Sequence, residues 1–320
     1  SNAFARGDRT KATYSYTTAM GYKSEASNFA STALGRETIA SGQYATAMGQ
    51  QTTASQNAST AMGDGSSAIG NVATAMGYIT EASGVASTAM GNFTKASGNE
   101  STAMGNSSIA SGVSATAMGH GTLATGKGST AMGTTTYAIG EYTTSMGLVT
   151  TAEDFASVSI GQYNKADETP NPSTFSLENT ALVIGNGEDT NNRSNALEVL
   201  FDGTTTIAGD LNINSDARLK ANIISLGATL SKLLQIDGKT YTMKKDSNHK
   251  KKIGLLAQDI EKIFPELVSE TNNIKSVNYQ GLVPVLINAI KEQQHEIERL
   301  KKQEERLRQL EQKVNTLLDK

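Results

Sequence analysis

Thr88-Ala89-Met90-Gly91-Asn92-Phe93-Thr94-Lys95-Ala96-Ser97-Gly98-Asn99-Glu100-Ser101 is one turn of a repeat, and Thr102-Ala103-Met104-Gly105 opens the next in the same phase. A glycine marks each unit at Gly21, Gly35, Gly49, Gly63, Gly77, Gly91, Gly105, Gly119, Gly133, Gly147 and Gly161, eleven units fourteen residues apart with no insertion. Nine of the ten methionines stand just before that glycine; Leu34 and Ile160 take the slot elsewhere. Midway lies a half-motif, Ala40-Ser41-Gly42, Ala82-Ser83-Gly84, Ala96-Ser97-Gly98 and Ala110-Ser111-Gly112, with apolar forms at Ala68-Ile69-Gly70 and Ala138-Ile139-Gly140. The unit is therefore two seven-residue halves, each a short strand and a glycine-marked turn. It is too short and too rich in Thr, Ser and Gly for helices. One coil of two small strands buries no core. Stacked coils pair strands along the axis at ~4.8 Å per rung, so eleven coils span roughly 50 Å. The Met/Leu/Ile column is expected to form a thin internal stripe, as core filler rather than as a metal ladder. So thin a stripe predicts several chains packed along their length.

Composition narrows the function. The chain has 320 residues, a net charge of −3 and no cysteine, which suggests two or three domains and excludes a disulfide framework or thiol chemistry. No apolar run approaches the ~20 residues of a membrane-spanning helix, and no membrane insertion is expected. Residues 215–320 hold 19 Lys+Arg against 14 Asp+Glu, and residues 1–214 hold 9 against 17. An acidic repeat argues against nucleic acid as a partner, and Lys250-Lys251-Lys252 reads as a solvated tract. His120, His249 and His295 are too scattered for a metal site, and no metal or cofactor is expected. Ser1-Asn2-Ala3 reads as an expression scar, with the natural N-terminus expected upstream.

Residues 162–214 break the period, beginning with Pro170-Asn171-Pro172. Short apolar runs follow: Ala181–Gly185, Ala196–Phe201, Thr204–Gly209 and Leu211–Ile213, with Asn186-Gly187 and Asp202-Gly203 as turn signals. They read as a β-rich connector. The Glu188–Asn192 loop lacks the calcium-loop spacing with its closing Glu and reads as a polar turn.

The stretch Asn214-Ser215-Asp216-Ala217-Arg218-Leu219-Lys220-Ala221-Asn222-Ile223 carries the candidate chemistry. Ser-Asp-x-x-Leu-Lys fits a helix start, with Ser215 as N-cap and Asp216 in the first turn. It also fits a serine nucleophile with Lys220 as general base. A free lysine titrates near ~10.4, so such a base must be desolvated or lie near another cation; Arg218 is a candidate neighbour. A spacing of five aligns the pair poorly on a continuous helix, so the backbone near Ser215 is expected to be non-helical. Apolar residues at 223, 226, 230, 233 and 234 predict a helix over 223–234, and Ile236–Met243 predicts a strand. In the tail, Leu286, Ile290, Ile297, Leu300, Leu307, Val314 and Leu318 follow coiled-coil steps. A second register through Leu307, Leu310, Val314 and Leu317 suggests a stutter, or helices resting on another surface.

The repeats resemble the head of trimeric autotransporter adhesins, the YadA-like family, over about residues 14–161. That resemblance implies a trimeric left-handed parallel β-roll. No outer-membrane anchor of alternating strands is visible. From residue 215 the order S-D-x-R-L-K-x-N-I, L-x-x-L-x-x-I-x-G-x-x-Y, I-G-x-x-A-Q-D-I-E-x-x-F-P-E-L-V and V-x-Y-x-x-L-x-P-x-L-I-x-A-I-K-E resembles the peptidase S74 family. These are the intramolecular chaperones of phage endosialidases and tail fibres. The resemblance, covering about residues 215–300, implies a trimerising domain that cuts itself between Asn214 and Ser215, with Ser215 and Lys220 as the catalytic dyad. Asp216, Arg218 and Gln258 are candidate supporting residues, although Gln258 also fits a packing role. The expected plan is a lead-in (1–13), β-roll repeats (14–161), a β connector (162–214), an α+β chaperone (215–284) and a coiled-coil helix (285–320). The expected function is a homotrimeric extracellular fibre, on a virion tail or a bacterial surface, that meets a host-cell receptor of glycan or protein type. Two other readings are a carbohydrate-degrading tailspike and a self-cleaving membrane-tethered regulator. The first needs a carboxylate pair in an aromatic cleft, and the chain has no Trp. The second needs a DNA-binding module and a membrane span, and neither is seen.

Overall fold

A fourteen-residue period with two glycine-marked corners dictates two strands per coil. The computed structural model shows them, and it describes residues 2–244 and 249–318. Residues 1, 245–248 and 319–320, which fall in the expected lead-in, chaperone and terminal helix, lie outside the described residues. The chain divides into two units, Ser1–Ile213 and Asn214–Lys320.

The first unit is a β-solenoid. Each coil carries a five-residue strand such as Thr88–Asn92 and a two-residue strand such as Lys95–Ala96. Successive coils stack in parallel at constant register, Met90 opposite Met104 and Gly91 opposite Gly105. The pairing begins at Phe4–Asp8, with Gly7 opposite Gly21. The short strands form an 11-stranded sheet; the long strands, continued by three from the connector, form a 15-stranded one. Gly91 has φ +121°, and a Cβ there would lie 2.0 Å from the Gly105 carbonyl oxygen. The repeat glycine therefore marks main chain touching main chain. The corners also need left-handed residues, and non-glycine side chains accept that strain at Phe93 (φ 55°) and Glu100 (φ 58°).

The coil interior is lined by small residues. Ala89, Ala96 and their equivalents are fully buried, together with a Ser/Thr column through Ser66, Thr80 and Thr94. This overturns the expected internal methionine stripe. The methionines line the outer face of the long-strand sheet, mostly half-buried, with Met20 38% exposed. The reason is strand alternation: with Ala89 pointing in, Met90 must point out. The lumen between the two sheets holds only alanine, serine and threonine along the repeats. Outside, Lys11–Glu25, Lys23–Glu37 and Lys95–Glu81 pair across neighbouring coils.

The buried hydroxyl column is unevenly satisfied. Thr80 Oγ1 donates to Ser66 Oγ at 2.9 Å, and Ser66 Oγ donates to the Gly77 carbonyl at 3.0 Å. Thr38, Thr52, Thr94 and Thr136 have hydroxyls with no partner among the described residues.

The solenoid is closed by its connector. Thr180–Asn186 pairs in parallel with Val158–Gln162, keeping Gly161 opposite Gly185. The chain between them makes an excursion, and Asp154 holds it. This buried residue stands where other coils have the half-motif glycine. Its carboxylate accepts the N–H groups of Asn171 (2.7 Å) and Thr180 (2.8 Å). The Glu141 and Phe155 N–H groups donate to the carbonyls of Pro172 and Asn171. The end of the short-strand sheet, an edge otherwise open to another chain, is covered by buried Asn164, whose side chain accepts the Thr151 N–H at 2.7 Å and donates to the Thr151 carbonyl at 2.9 Å. Asn195–Leu200 and Thr205–Ile207 then add antiparallel, joined through Asp202-Gly203. Leu211–Ile213 forms no strand.

The second unit packs short elements on a long helix. Helix α1 (Leu230–Leu233), helix α2 (Ala257–Ile263) and helix α3 (Leu282–Leu318, 37 residues) surround a core of Ile260, Phe264, Leu267, Leu282 and Val285. Two hairpins complete it, Lys239–Tyr241 with Lys252–Gly254 and Val268–Thr271 with Ile274–Val277. The helix expected over 223–234 shrinks to one turn. Gly227 turns left-handed (φ 69°). Ile223 and Ile224 lie exposed, so an early turn would have no surface to bury against. The expected strand likewise contracts to Lys239–Tyr241. Along α3 the coiled-coil positions Leu286, Ile290, Ile297, Leu300, Leu307, Val314 and Leu318 are all exposed.

Two stability predictions follow from the solenoid. Thr94→Val removes a buried hydroxyl that bonds nothing and should stabilise by about 1 kcal/mol, whereas Thr80→Val removes a donor and should destabilise by a similar amount. Denaturant midpoints read both. Glu153, half-buried beside Asp154 and Asp167, has its carboxyl pushed up, first by burial and then by those neighbours. A carboxyl raised in the folded state makes that state bind its proton more tightly than the unfolded chain does. Its ionisation therefore costs stability at neutral pH, and the cost fades as pH falls through the raised pKa. Glu153→Gln should melt higher than the parent at pH 7, and the gap should close in melts taken toward pH 4.

Candidate functional site

The candidate site is one short turn. The chain enters extended at Asp216 (φ −63°, ψ 133°), makes a single 3-10 turn over Ala217–Leu219 and leaves extended at Lys220 (φ −119°, ψ 147°). Ser215 thus lies outside any helix, and both of its neighbours on the turn are set by local bonds. The Leu219 and Lys220 N–H groups donate to the carbonyls of Asp216 and Ala217. The Asp216 carboxylate accepts the Arg218 N–H at 2.9 Å, as an N-cap does. It also accepts the Arg218 guanidinium at 3.0 Å and 2.6 Å. The guanidinium, and after it the Arg218 N–H, hold the Asp216 carboxyl below the usual carboxylate range.

Across the mouth of this turn Lys220 Nζ lies 2.7 Å from Ser215 Oγ and donates to it. Serine and lysine five apart in sequence are brought within hydrogen-bond reach, the geometry that nucleophile activation needs. Both are exposed, as are Asn214, Asp216 and Arg218. Arg218, weighed as a cationic neighbour for Lys220, spends its guanidinium on Asp216. Gln258 stands on the first turn of α2, where it lines a surface depression of about 270 Å³ with Tyr241, Leu256, Lys275 and Tyr279.

Known proteins divide the chain at the same residue. Residues 215–269 match the family model Peptidase_S74, "Chaperone of endosialidase", and the match begins at Ser215. Overlapping matches to the "YadA head domain repeat" run from residue 15 to residue 150. The chain carries YadA head repeats followed by an endosialidase-type chaperone segment. The "Long tail fiber protein Gp37" of Enterobacteria phage M1 is 34% identical over 118 residues, 32% of this chain and 47% of that protein. The protein of that name from Salmonella phage S16 is 33% identical over 111 residues, 32% of this chain and 15% of its own length. The chain spans less than half the length of these relatives.

What anchors the chaperone segment downstream of the turn escaped the sequence reading. Asn288 Nδ2 of α3 donates to the Gly227 carbonyl at 3.2 Å. Glu292, one turn further along α3, accepts the N–H groups of Thr229 and Leu230 at the start of α1. The buried Thr229 hydroxyl donates to the Val285 carbonyl at 2.9 Å. Glu292 therefore caps α1 from sixty residues away, a role for which no local motif exists, and the long helix holds the C-terminal end of the strap that begins at the candidate nucleophile. Glu292→Ala leaves two N–H groups at a helix start without their acceptor and should destabilise the chaperone segment by about 1–3 kcal/mol. Glu292→Gln keeps an oxygen there and should fall between; thermal unfolding of the three proteins orders them.

Proposed function

We propose that this chain is a phage tail-fibre protein that assembles as a homotrimer and then cuts itself between Asn214 and Ser215. The observation that carries the reading is the Ser215–Lys220 contact at the first residue of the chaperone match. The adhesin-type head and the tail-fibre relatives support a virion fibre, and the head is its receptor-binding part, facing a host-surface glycan or protein. On this reading residues 14–161 form the adhesin-type head, 162–214 its closing connector, 215–284 the chaperone and 285–320 the coiled-coil helix, with 1–13 as the lead-in.

Trimerisation answers two exposed surfaces. The methionine column on the solenoid is only half-buried, and the coiled-coil positions of α3 are exposed, among the described residues. Three copies packed along their length bury both. Parallel stacking of long repetitive chains is non-local and slow, and identical rungs invite slips of a whole coil. A domain that associates first sets the chains level.

The cut follows from the dyad in balanced steps. In the resting chain Lys220 donates and Ser215 accepts. Catalysis needs the reverse, a neutral amine that takes the hydroxyl proton, and desolvation of the lysine on assembly favours that form. Ser215 Oγ then bonds to the Asn214 carbonyl carbon while its proton passes to Nζ. The Asn214–Ser215 C–N bond breaks, Nζ returns the proton to the departing nitrogen, and an ester joins Asn214 to Oγ. Water hydrolyses the ester, leaving a carboxylate on Asn214 and a free hydroxyl and amine on Ser215.

Freshly expressed protein should run as two fragments on a denaturing gel, with Ser215→Ala and Lys220→Ala running full length. The same bands from all three proteins would rule out the dyad. Light scattering should give the mass of three chains, and a single-chain mass would overturn the assembly.

A further inference from the structure

We propose that Asp216 is a positioning residue for the cleavage, its carboxylate closing the turn that sets Lys220 against Ser215. This rests on the reading of that pair as the cutting dyad. On a continuous α-helix, residues five apart are rotated by about 140° and offset by about 7.5 Å, so the two side chains would face different ways. They meet because the chain makes one tight turn between two extended residues. No residue of that turn is buried, so packing does not hold it. Its main-chain bonds are two, Leu219 to Asp216 and Lys220 to Ala217, both at 3.1 Å. A single 3-10 turn with two such bonds in water is marginal.

The Asp216 side chain supplies the remaining restraint. Its bond to the Arg218 N–H at 2.9 Å fixes the first residues of the turn in the capping geometry. Its contacts with the Arg218 guanidinium turn that cation onto Asp216 itself. A carboxylate so occupied is also withheld from the neighbouring Lys220, where it would act as a counter-ion and favour the charged amine. The cap, rather than the charge, is the part that orders the dyad. Without it the turn opens, Ser215 Oγ and Lys220 Nζ spend most of their time apart, and misplacement on the scale of an ångström costs orders of magnitude in rate.

The two roles of the carboxylate separate by substitution. Asparagine keeps the N-cap acceptor and loses the charge, whereas glutamate keeps the charge and caps poorly. In pulse-labelled expression, the C-terminal fragment should appear about a hundred-fold more slowly in Asp216→Ala and Asp216→Glu. Asp216→Asn, which keeps the cap, should cut about thirty-fold faster than Asp216→Ala. The pH profile of the residual rate in Asp216→Ala should keep the parent's shape at lower amplitude, because the substitution leaves both side chains of the dyad in place. Light scattering confirms that each variant assembles; should Asp216→Ala fail there, the Asn and Glu variants decide between them. Parental rates in both Asp216→Ala and Asp216→Glu, or an Asn variant as slow as the Ala one, would overturn the positioning role. Cutting that persists in Ser215→Ala would instead strike at the dyad itself.

Discussion

Main-chain contact between successive coils is the constraint from which the rest of the first unit follows. At Gly91 there is no room for even a methyl group before the carbonyl of Gly105, and the same closeness recurs at every repeat glycine from Gly7 to Gly147. Coils that close cannot absorb an inserted residue within a strand, which is why the period stays at fourteen through the whole run. The one large excursion comes after the last regular coil, where Asp154 replaces a glycine and ties down the proline segment with two charge-assisted bonds.

The same closeness fixes what the interior holds. Two sheets this near admit alanine, serine and threonine and nothing larger, so the solenoid buries many small groups and little apolar area per residue. Its larger apolar side chains are pushed to the outer face. A fold with its bulk outside is short of a core on its own terms, and the apolar column it presents repeats in constant register from coil to coil. On the proposed reading a second copy of the chain, with the same repeat, would match it. The long helix of the second unit presents the same problem, with apolar positions at coiled-coil spacing that stay exposed among the described residues.

The repeat was legible because strict periodicity needs no long-range information. The side to which each residue points was not. Alternation says that Ala89 and Met90 face opposite ways, but which faces in depends on the width of the lumen, and that is set by the approach of neighbouring coils. Hydrophobicity alone placed methionine inside. At Ile223–Leu234 helical spacing was real, yet Gly227 and the lack of anything to pack against left one turn. The Ser215–Lys220 pair was only one of two readings of its local motif, which fits a helix start as well, and the resemblance to the S74 family singled it out. Glu292 was not legible: it caps a helix remote in sequence, and on α3 it looks like any solvated acid in a polar helix.

The resting geometry of the turn bears on timing. On the dyad reading, an exposed lysine that donates to the serine engages the hydroxyl's lone pairs, not its proton, and would keep the nucleophile close but inactive. Removal from water would favour the reverse bond, and no residue of the turn is buried. Under the proposed reading the covering surface is the assembled trimer, so cutting waits on assembly without a separate sensor. The order matters for the product. A guide released early would leave three chains free to pair out of level, where identical rungs give almost no energetic penalty for an offset of one coil. A guide released late leaves the chains already stacked, and the same close main-chain contacts that admit no insertion then oppose their separation. On the same reading, irreversible loss of the guide would convert that barrier into kinetic stability, since separated chains would no longer carry the domain that set them level.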